Sequence, residues 1–142
     1  MSESPDIRCA GKPSVTVAIG VIERAEKILI CRRSKRGAFA GYWEFPGGKC
    51  EPGELPVDCL HRELAEELGV SVQVLHAFPI IEHEYPAVRV RLHPFFCKHE
   101  RGEPQPLACD EMLWVEASAL RGYRFPEANA GLIERISGLV NQ

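Results

Sequence analysis

Three glutamates and an arginine stand at fixed intervals near the middle of the chain: Arg62-Glu63, then Glu66-Glu67, with Glu54 eight residues before the arginine. On a helix each residue advances about 100°, so Glu63 and Glu67, four apart, lie one above the other. Glu66 falls on the same flank, roughly 80–100° around from Glu67. Carboxylates so spaced repel one another and weaken a bare helix. Mg²⁺ or Mn²⁺ between them removes the repulsion, because hard cations take oxygen ligands and bind polyphosphates well. The chemistry suggested is metal-assisted attack on a phosphate ester. The alternative is a solvated face on which Glu63, Glu66 and Glu67 pair with His61, Arg62 and Lys49.

The elements that must position these groups follow from local pattern. Pro56 suits a first helical position, Val57, Leu60, Leu64 and Leu68 form one apolar stripe, and Gly69 is a natural C-terminal cap. Glu67 borders that stripe and is expected to be partly desolvated. A glycine- and proline-rich loop, Gly47-Gly48-Lys49 to Glu54, feeds the helix. Before it, residues 15–22 read as a buried strand. Residues 27–33 read as its partner across a turn, residues 34–42 as a basic loop, and 43–46 as a short extended segment. After it, residues 70–78, 87–98 and 112–115 read as strands. Residues 126–140 read as a second helix with Leu132, Ile133, Ile136, Leu139 and Val140 on its apolar face. Strands mixed with two helices indicate the α/β class.

With 142 residues the chain is long enough for one domain with its own core. Residues 1–13 are expected to be a flexible tail and 14–142 a single domain. A net charge of −3 gives no general attraction to nucleic acid or membrane, so a polyphosphate partner must be recognised locally. No apolar run approaches the roughly 20 residues of a membrane span, and the opening residues lack a secretory pattern. A cytoplasmic protein, monomer or homodimer, is expected. The six cysteines, Cys9, Cys31, Cys50, Cys59, Cys97 and Cys109, show no zinc spacing and read as reduced thiols.

The register of the acidic segment decides between the two readings of its charge. Gly48, Glu54, Arg62, Glu63, Leu64, Glu66, Glu67, Gly69 and Val70 fill G-x5-E-x7-R-E-U-x-E-E-x-G-U, where U is aliphatic, without a departure. Its seven non-aliphatic positions, each at roughly 5–8% usage, coincide by chance about once in 10⁸ windows. This pattern is the Nudix box, and the chain resembles the Nudix hydrolases, which cleave nucleoside diphosphates linked to another moiety with a divalent cation. The resemblance implies an α/β/α sandwich: a mixed β-sheet flanked by the box helix and a C-terminal helix. It implies Glu63, Glu66 and Glu67 as ligands of Mg²⁺ (or Mn²⁺), with the Gly47 carbonyl near a cation. Glu54 and Arg62 would fix the loop to the helix. Glu63 is alternatively the base that activates water. Glu111 occupies a position from which many members supply a further ligand or base; otherwise it is a turn residue before a strand.

Outside the box, Trp43-Glu44-Phe45-Pro46-Gly47-Gly48-Lys49, Ile30-Cys31-Arg32-Arg33 and Phe125-Pro126-Glu127-Ala128-Asn129 are similar to the MutT branch, which removes oxidised nucleotides such as 8-oxo-dGTP. The resemblance puts Arg33 in the nucleotide site and Asn129 on the base. Lys49 and Arg33 add positive charge, or are simply solvated. Guanine presents acceptors at O6 and N7, and oxidation at C8 turns N7 into a donor. One Asn amide pairs with that donor and O6 together but leaves its carbonyl against a lone pair in ordinary guanine. Asn129 alternatively caps the last helix. Tyr85 and Phe78 are candidates to stack on the base, or core aromatics; His93 reads as solvated, and Glu82 and His83 carry no signal. Other nucleotides (CTP, dCTP, ADP-ribose) and a non-catalytic nucleotide sensor are the competing functions.

Overall fold

The computed structural model describes residues 12–33 and 39–140, and no side chain at 139 or 140. Most of the expected tail, Cys9, part of the basic loop and the side chains of Leu139 and Val140 therefore lie outside the described residues. Eight strands form one sheet: β1 (Ser14–Arg24), β2 (Lys27–Arg32), β3 (Trp43–Glu44), β4 (Gly47–Lys49), β5 (Ser71–Ala77), β6 (Ile81–Glu84), β7 (Arg89–Arg101) and β8 (Glu111–Glu116). Helix α1 (Pro56–Leu68) follows β4, and α2 (Ala130–Val140) ends the fold.

The long central strand β1 pairs in parallel with β7, 14–23 against 89–98, whereas the other described pairings are antiparallel. The sheet path runs β3-β2-β1-β7-β5; β4 pairs with β1, β6 with β7 and β8 with β2. Because strand side chains alternate between faces, β1 and β2 feed two cores. Ala18, Ile22, Leu29 and Cys31 pack under the α1 stripe of Cys59, Leu60, Leu64 and Leu68. Ile19, Val21, Ile28 and Ile30 pack under Leu132, Ile133 and Ile136 of α2. The expected α/β/α sandwich, with its mixed sheet, is the fold observed.

Helix α1 has its expected bounds. Gly69 caps it in the left-handed conformation (φ 71°, ψ 29°), and its N–H donates to the Ala65 carbonyl. The second helix differs from expectation. Pro126 is extended at φ −58°, ψ 150°, a 3₁₀ turn spans Glu127–Asn129, and α-helix begins only at Ala130. Strand β6, the short β4 and a 3₁₀ segment at Ala117–Gly122 are further elements the pattern did not reveal. His93, expected to be solvated, is half-buried on β7, and burial pushes its pKa down. The five described cysteines are free thiols, as expected, and burial raises Cys59 and Cys97 to about 12.

Leu64 is fully buried beneath the helix that carries the acidic side chains. Leu64→Ala is expected to cost about 2–5 kcal/mol of unfolding free energy, measured as a lower urea midpoint at unchanged slope. A loss under 1 kcal/mol would mean that α1 is not anchored through this stripe.

Candidate active site

The loop entering α1 approaches the sheet and the helix closely at two glycines, Gly47 and Gly48. At Gly47 (φ 152°) a Cβ would lie 2.0 Å from the Ala18 carbonyl oxygen, so its absence lets β4 pair with β1. At Gly48 a Cβ would lie 2.2 Å from Glu63 Oε1; the carboxylate occupies that space.

Arg62 then joins loop and helix with every N–H it has. Nε and Nη2 grip Glu54 at 2.8 and 2.9 Å, a bidentate pair. Nη2 also donates to the Lys49 carbonyl at 3.1 Å, and Nη1 donates to Glu63 Oε2 at 2.9 Å and Glu66 Oε1 at 3.3 Å. Those hydrogen bonds and that of the Glu51 N–H hold the Glu54 carboxyl down at about 2. Arg62 and Glu54 thus tie the loop to the helix.

Glu67 has no such partner among the described residues. Burial, a hydrogen bond to Glu63 and the charges of Glu63, Glu44 and Glu66 push its carboxyl up to about 8. The desolvation expected from its place beside the apolar stripe is present. A cleft of about 530 Å³ brings Glu63 and Glu67 together with Gly47, Gly48, Lys49, Arg33 and Glu44. Glu66 points elsewhere, with 59% of its side chain exposed and its Oε1 on Arg62. Among the described residues no three carboxylate, imidazole or thiol side chains converge tightly enough to hold an ion. The reason is Arg62, which draws Glu66 and one Glu63 oxygen to itself. The donor chemistry nonetheless suits a hard divalent cation: two neighbouring carboxylates, Glu63 and Glu67, stand beside a backbone turn in the same cleft.

Glu111 opens β8 opposite Arg32 and forms an ion pair with it at 3.2 Å. It is not among the residues lining the cleft.

A second cavity of about 400 Å³ shares the Val17, Ile19, Arg33, Glu44, Phe45 and Lys49 wall and continues to Tyr85, Val90, Leu92 and Asn129. It is mostly apolar. Asn129 is 7% exposed, and the hydrogen bond its amide makes is a long one, Nδ2 to the Pro126 carbonyl at 3.5 Å. The Tyr85 hydroxyl meets the Ala128 backbone, and its ring packs edge-on to Phe39 at 5.1 Å. Phe78 is in the core at 6% exposure and lies outside both cavities.

Aromatic contacts bring the distant segments to one place. Phe45 stacks on Phe125 at 5.0 Å, Trp43 meets Tyr123 at 5.4 Å, and the Trp43 N–H donates to the Arg124 carbonyl at 2.8 Å. Glu44, between those two aromatics, is the site residue that sequence reasoning passed over. It lines both cavities and accepts from Arg33 at 2.9 Å, while burial raises its pKa against the pull of that arginine. Its signal was its place in the Trp-Glu-Phe-Pro lead-in to the paired glycines.

Known proteins are similar to this chain in sequence and fold. A Haemophilus influenzae protein named 8-oxo-dGTP diphosphatase is 36% identical over 88% of this chain and 93% of its own. An Escherichia coli CTP pyrophosphohydrolase is 31% identical over 88% and 93%. The solution structure of the E. coli ORF135 protein superposes with a TM-score of 0.80 at 30% identity, covering 92% of this chain and 93% of that one. No described helix is long and apolar enough to cross a membrane. The NUDIX domain model matches residues 17–135, nearly the whole described fold, and the chain belongs to that family of hydrolases.

Proposed function

We propose that residues 14–142 form a Mg²⁺-dependent nucleoside triphosphate pyrophosphohydrolase acting on 8-oxo-dGTP, releasing monophosphate and pyrophosphate in the cytoplasmic nucleotide pool. The observation that carries the reading is the shared wall between an acidic cleft and an apolar pocket containing Asn129. A nucleotide needs both halves, one for phosphates and one for a base. The names of similar proteins support the same substrate.

Glu63, Glu67, the Gly47 carbonyl and, on leaving Arg62, Glu66 would hold the cation. When bound, it neutralises phosphate charge and lowers the pKa of a water. The remaining work belongs to the chain. Arg62 keeps the loop in register with the helix. Lys49 and Arg33 add the cleft's positive charge beside the phosphates. In its alternative role as base, Glu63 takes the proton of the attacking water as a bridging P–O bond breaks and pyrophosphate departs. Asn129 accepts from N7–H of the oxidised base and donates to O6, where ordinary guanine would leave its carbonyl unpaired. A second reading, CTP hydrolysis, has the support of one relative's name.

Steady-state hydrolysis of 8-oxo-dGTP, dGTP, CTP and ADP-ribose with Mg²⁺ tests the assignment. The oxidised nucleotide is expected to exceed dGTP in kcat/KM, with roughly 10⁴–10⁵ as the ceiling for such polar discrimination. Asn129→Ala is expected to reduce that ratio by about tenfold or more. Equal rates on dGTP and its oxidised form would remove the base reading; a preference for CTP would install the second one.

Glu67 supplies an independent test on the metal-free protein. Its folded pKa of about 8 lies above the ordinary 4.5, so the folded state binds more protons and stability falls as pH rises between those values. Glu67→Gln should abolish Mg²⁺-dependent turnover yet raise the thermal midpoint in EDTA. That advantage widens from pH 4.5 to 8. A gap independent of pH, or full turnover by the variant, contradicts the assignment.

A further inference from the structure

Five of the six cysteines belong to the core layer between α1 and the sheet. Two of them stand at the joint that Arg62 and Glu54 close. Cys59, near the start of α1, is fully buried. Its thiol donates to the Gly48 carbonyl at 3.5 Å, and Arg62 Nη2 approaches its sulfur at 3.9 Å. It also meets the thiol of Cys50, nine residues earlier in the loop. Both backbones are pinned: the Cys50 N–H donates to the Thr16 carbonyl of β1 at 2.8 Å, and the Cys59 N–H to the Leu55 carbonyl at 2.9 Å. Cys50 is half-buried and lines an open cavity of about 370 Å³ with Glu51, Glu54 and Pro56. One thiol is thus open to solvent, with the other directly behind it. Cys31 and Cys109 also meet, but they join β2 to the segment before β8, which the β2–β8 ladder already holds together.

An accessible thiol backed by a buried one suits thiol–disulfide exchange, in which the first sulfur is attacked by the second through a mixed disulfide. We propose that Cys50 and Cys59 form an exchange site for small diffusible disulfides, whose product is a Cys50–Cys59 cross-link between the loop and α1. Cys50, as thiolate, attacks one sulfur of the small disulfide; that S–S bond breaks, a mixed disulfide forms, and the first thiolate leaves and takes a proton from solvent. Cys59 then releases its proton to solvent and attacks the Cys50 sulfur, expelling the second thiolate, which is protonated in turn. Two protein thiols are oxidised to one disulfide, and one small disulfide is reduced to two thiols. The second attack is the slow step, because burial pushes the Cys59 thiol up to about 12, with Arg62 the positive charge that favours its thiolate. The cross-link spans the same two segments as the Arg62–Glu54 pair, so the oxidised joint no longer depends on that ion pair alone.

The test incubates the full-length protein with excess glutathione disulfide, alkylates the remaining thiols and digests with trypsin. Cleavage after Lys49 and Arg62 leaves Cys50 and Cys59 on one peptide, 50–62, with no other cysteine. In the wild type that peptide is expected to be unalkylated and two hydrogens lighter. The thermal midpoint should rise on the order of 5–10 °C, the gain for closing a ring of this length. The rise should vanish in Cys50→Ser and in Cys59→Ala, and persist in Cys109→Ser. Glu54→Gln, whose reduced form has lost the ion pair, should gain at least as many degrees on oxidation as the wild type. A peptide alkylated at both cysteines, a glutathione adduct that stays on Cys50, or Cys50 joined to any cysteine other than Cys59 overturns the inference. So does a rise that survives Cys50→Ser, a cross-linked peptide without a rise, or a Glu54→Gln protein that gains nothing. Should Cys59→Ala fail to fold, the wild-type peptide mass and the Cys50→Ser comparison decide.

Discussion

The acidic cluster is tolerable to the fold because one guanidinium is spent entirely on it. Arg62 reaches Glu54 in the loop, the Lys49 carbonyl at the end of β4, and Glu63 and Glu66 on its own helix. A lysine at this position would deliver the charge without the planar fork that closes the Glu54 pair. The arginine therefore cannot also reach out to substrate. Its five donors are committed, and what it sets is the separation between the Gly47-Gly48 turn and the carboxylates facing it. The missing Cβ of Gly48 belongs to the same constraint, since the Glu63 carboxylate lies where that atom would be.

The mixed sheet explains why this cluster has a nucleotide-sized space beside it. Val17 and Ile19 project from β1 to the face away from α1 and form the floor shared by both cavities. Parallel pairing of β1 with β7 places Val90 and Leu92 alongside them as further apolar wall. Aromatic contacts then fold the segment before α2 over the sheet, so that Asn129 closes the far end. One strand thus serves the box helix with Ala18 and Ile22 and the two cavities with Val17 and Ile19.

What was legible in the sequence was what is local. The proline start and the glycine cap of α1 are set by nearby residues, and the box positions lie on that helix, at its end, or in the β4 strand and loop that feed it. The partial burial of Glu67 followed from helical periodicity alone. Features set by contacts across the chain were not legible. Glu44 acquires its meaning only when β2–β3 pairing brings Arg33 to it, eleven residues away. Glu111 read as a further ligand or base, or as a turn residue before a strand, and the β2–β8 ladder that sets it opposite Arg32 was not visible in its neighbours. The late start of α2 reflects the extended Pro126, pinned between the Phe45–Phe125 stack and a 3₁₀ turn. His93 belonged to a strand whose alternation suggested an exposed face, and tertiary packing covers it.

The two ends of the carboxylate cluster respond to protons in opposite senses, and the opposition separates a group that supports the fold from one that strains it. Glu54, held at about 2, contributes stability that is complete above the ordinary carboxylate pKa and is lost as pH falls toward 2. Glu67, raised to about 8, withdraws stability as pH rises from 4.5. At neutral pH without a cation, the first group supports the native state and the second strains it. A side chain chosen for the fold alone would relieve that strain, as an amide would. Retaining a carboxylate beside Glu63 and Glu44 makes physical sense when positive charge is delivered from outside, which turns the strain into affinity for a divalent ion and the phosphates it carries.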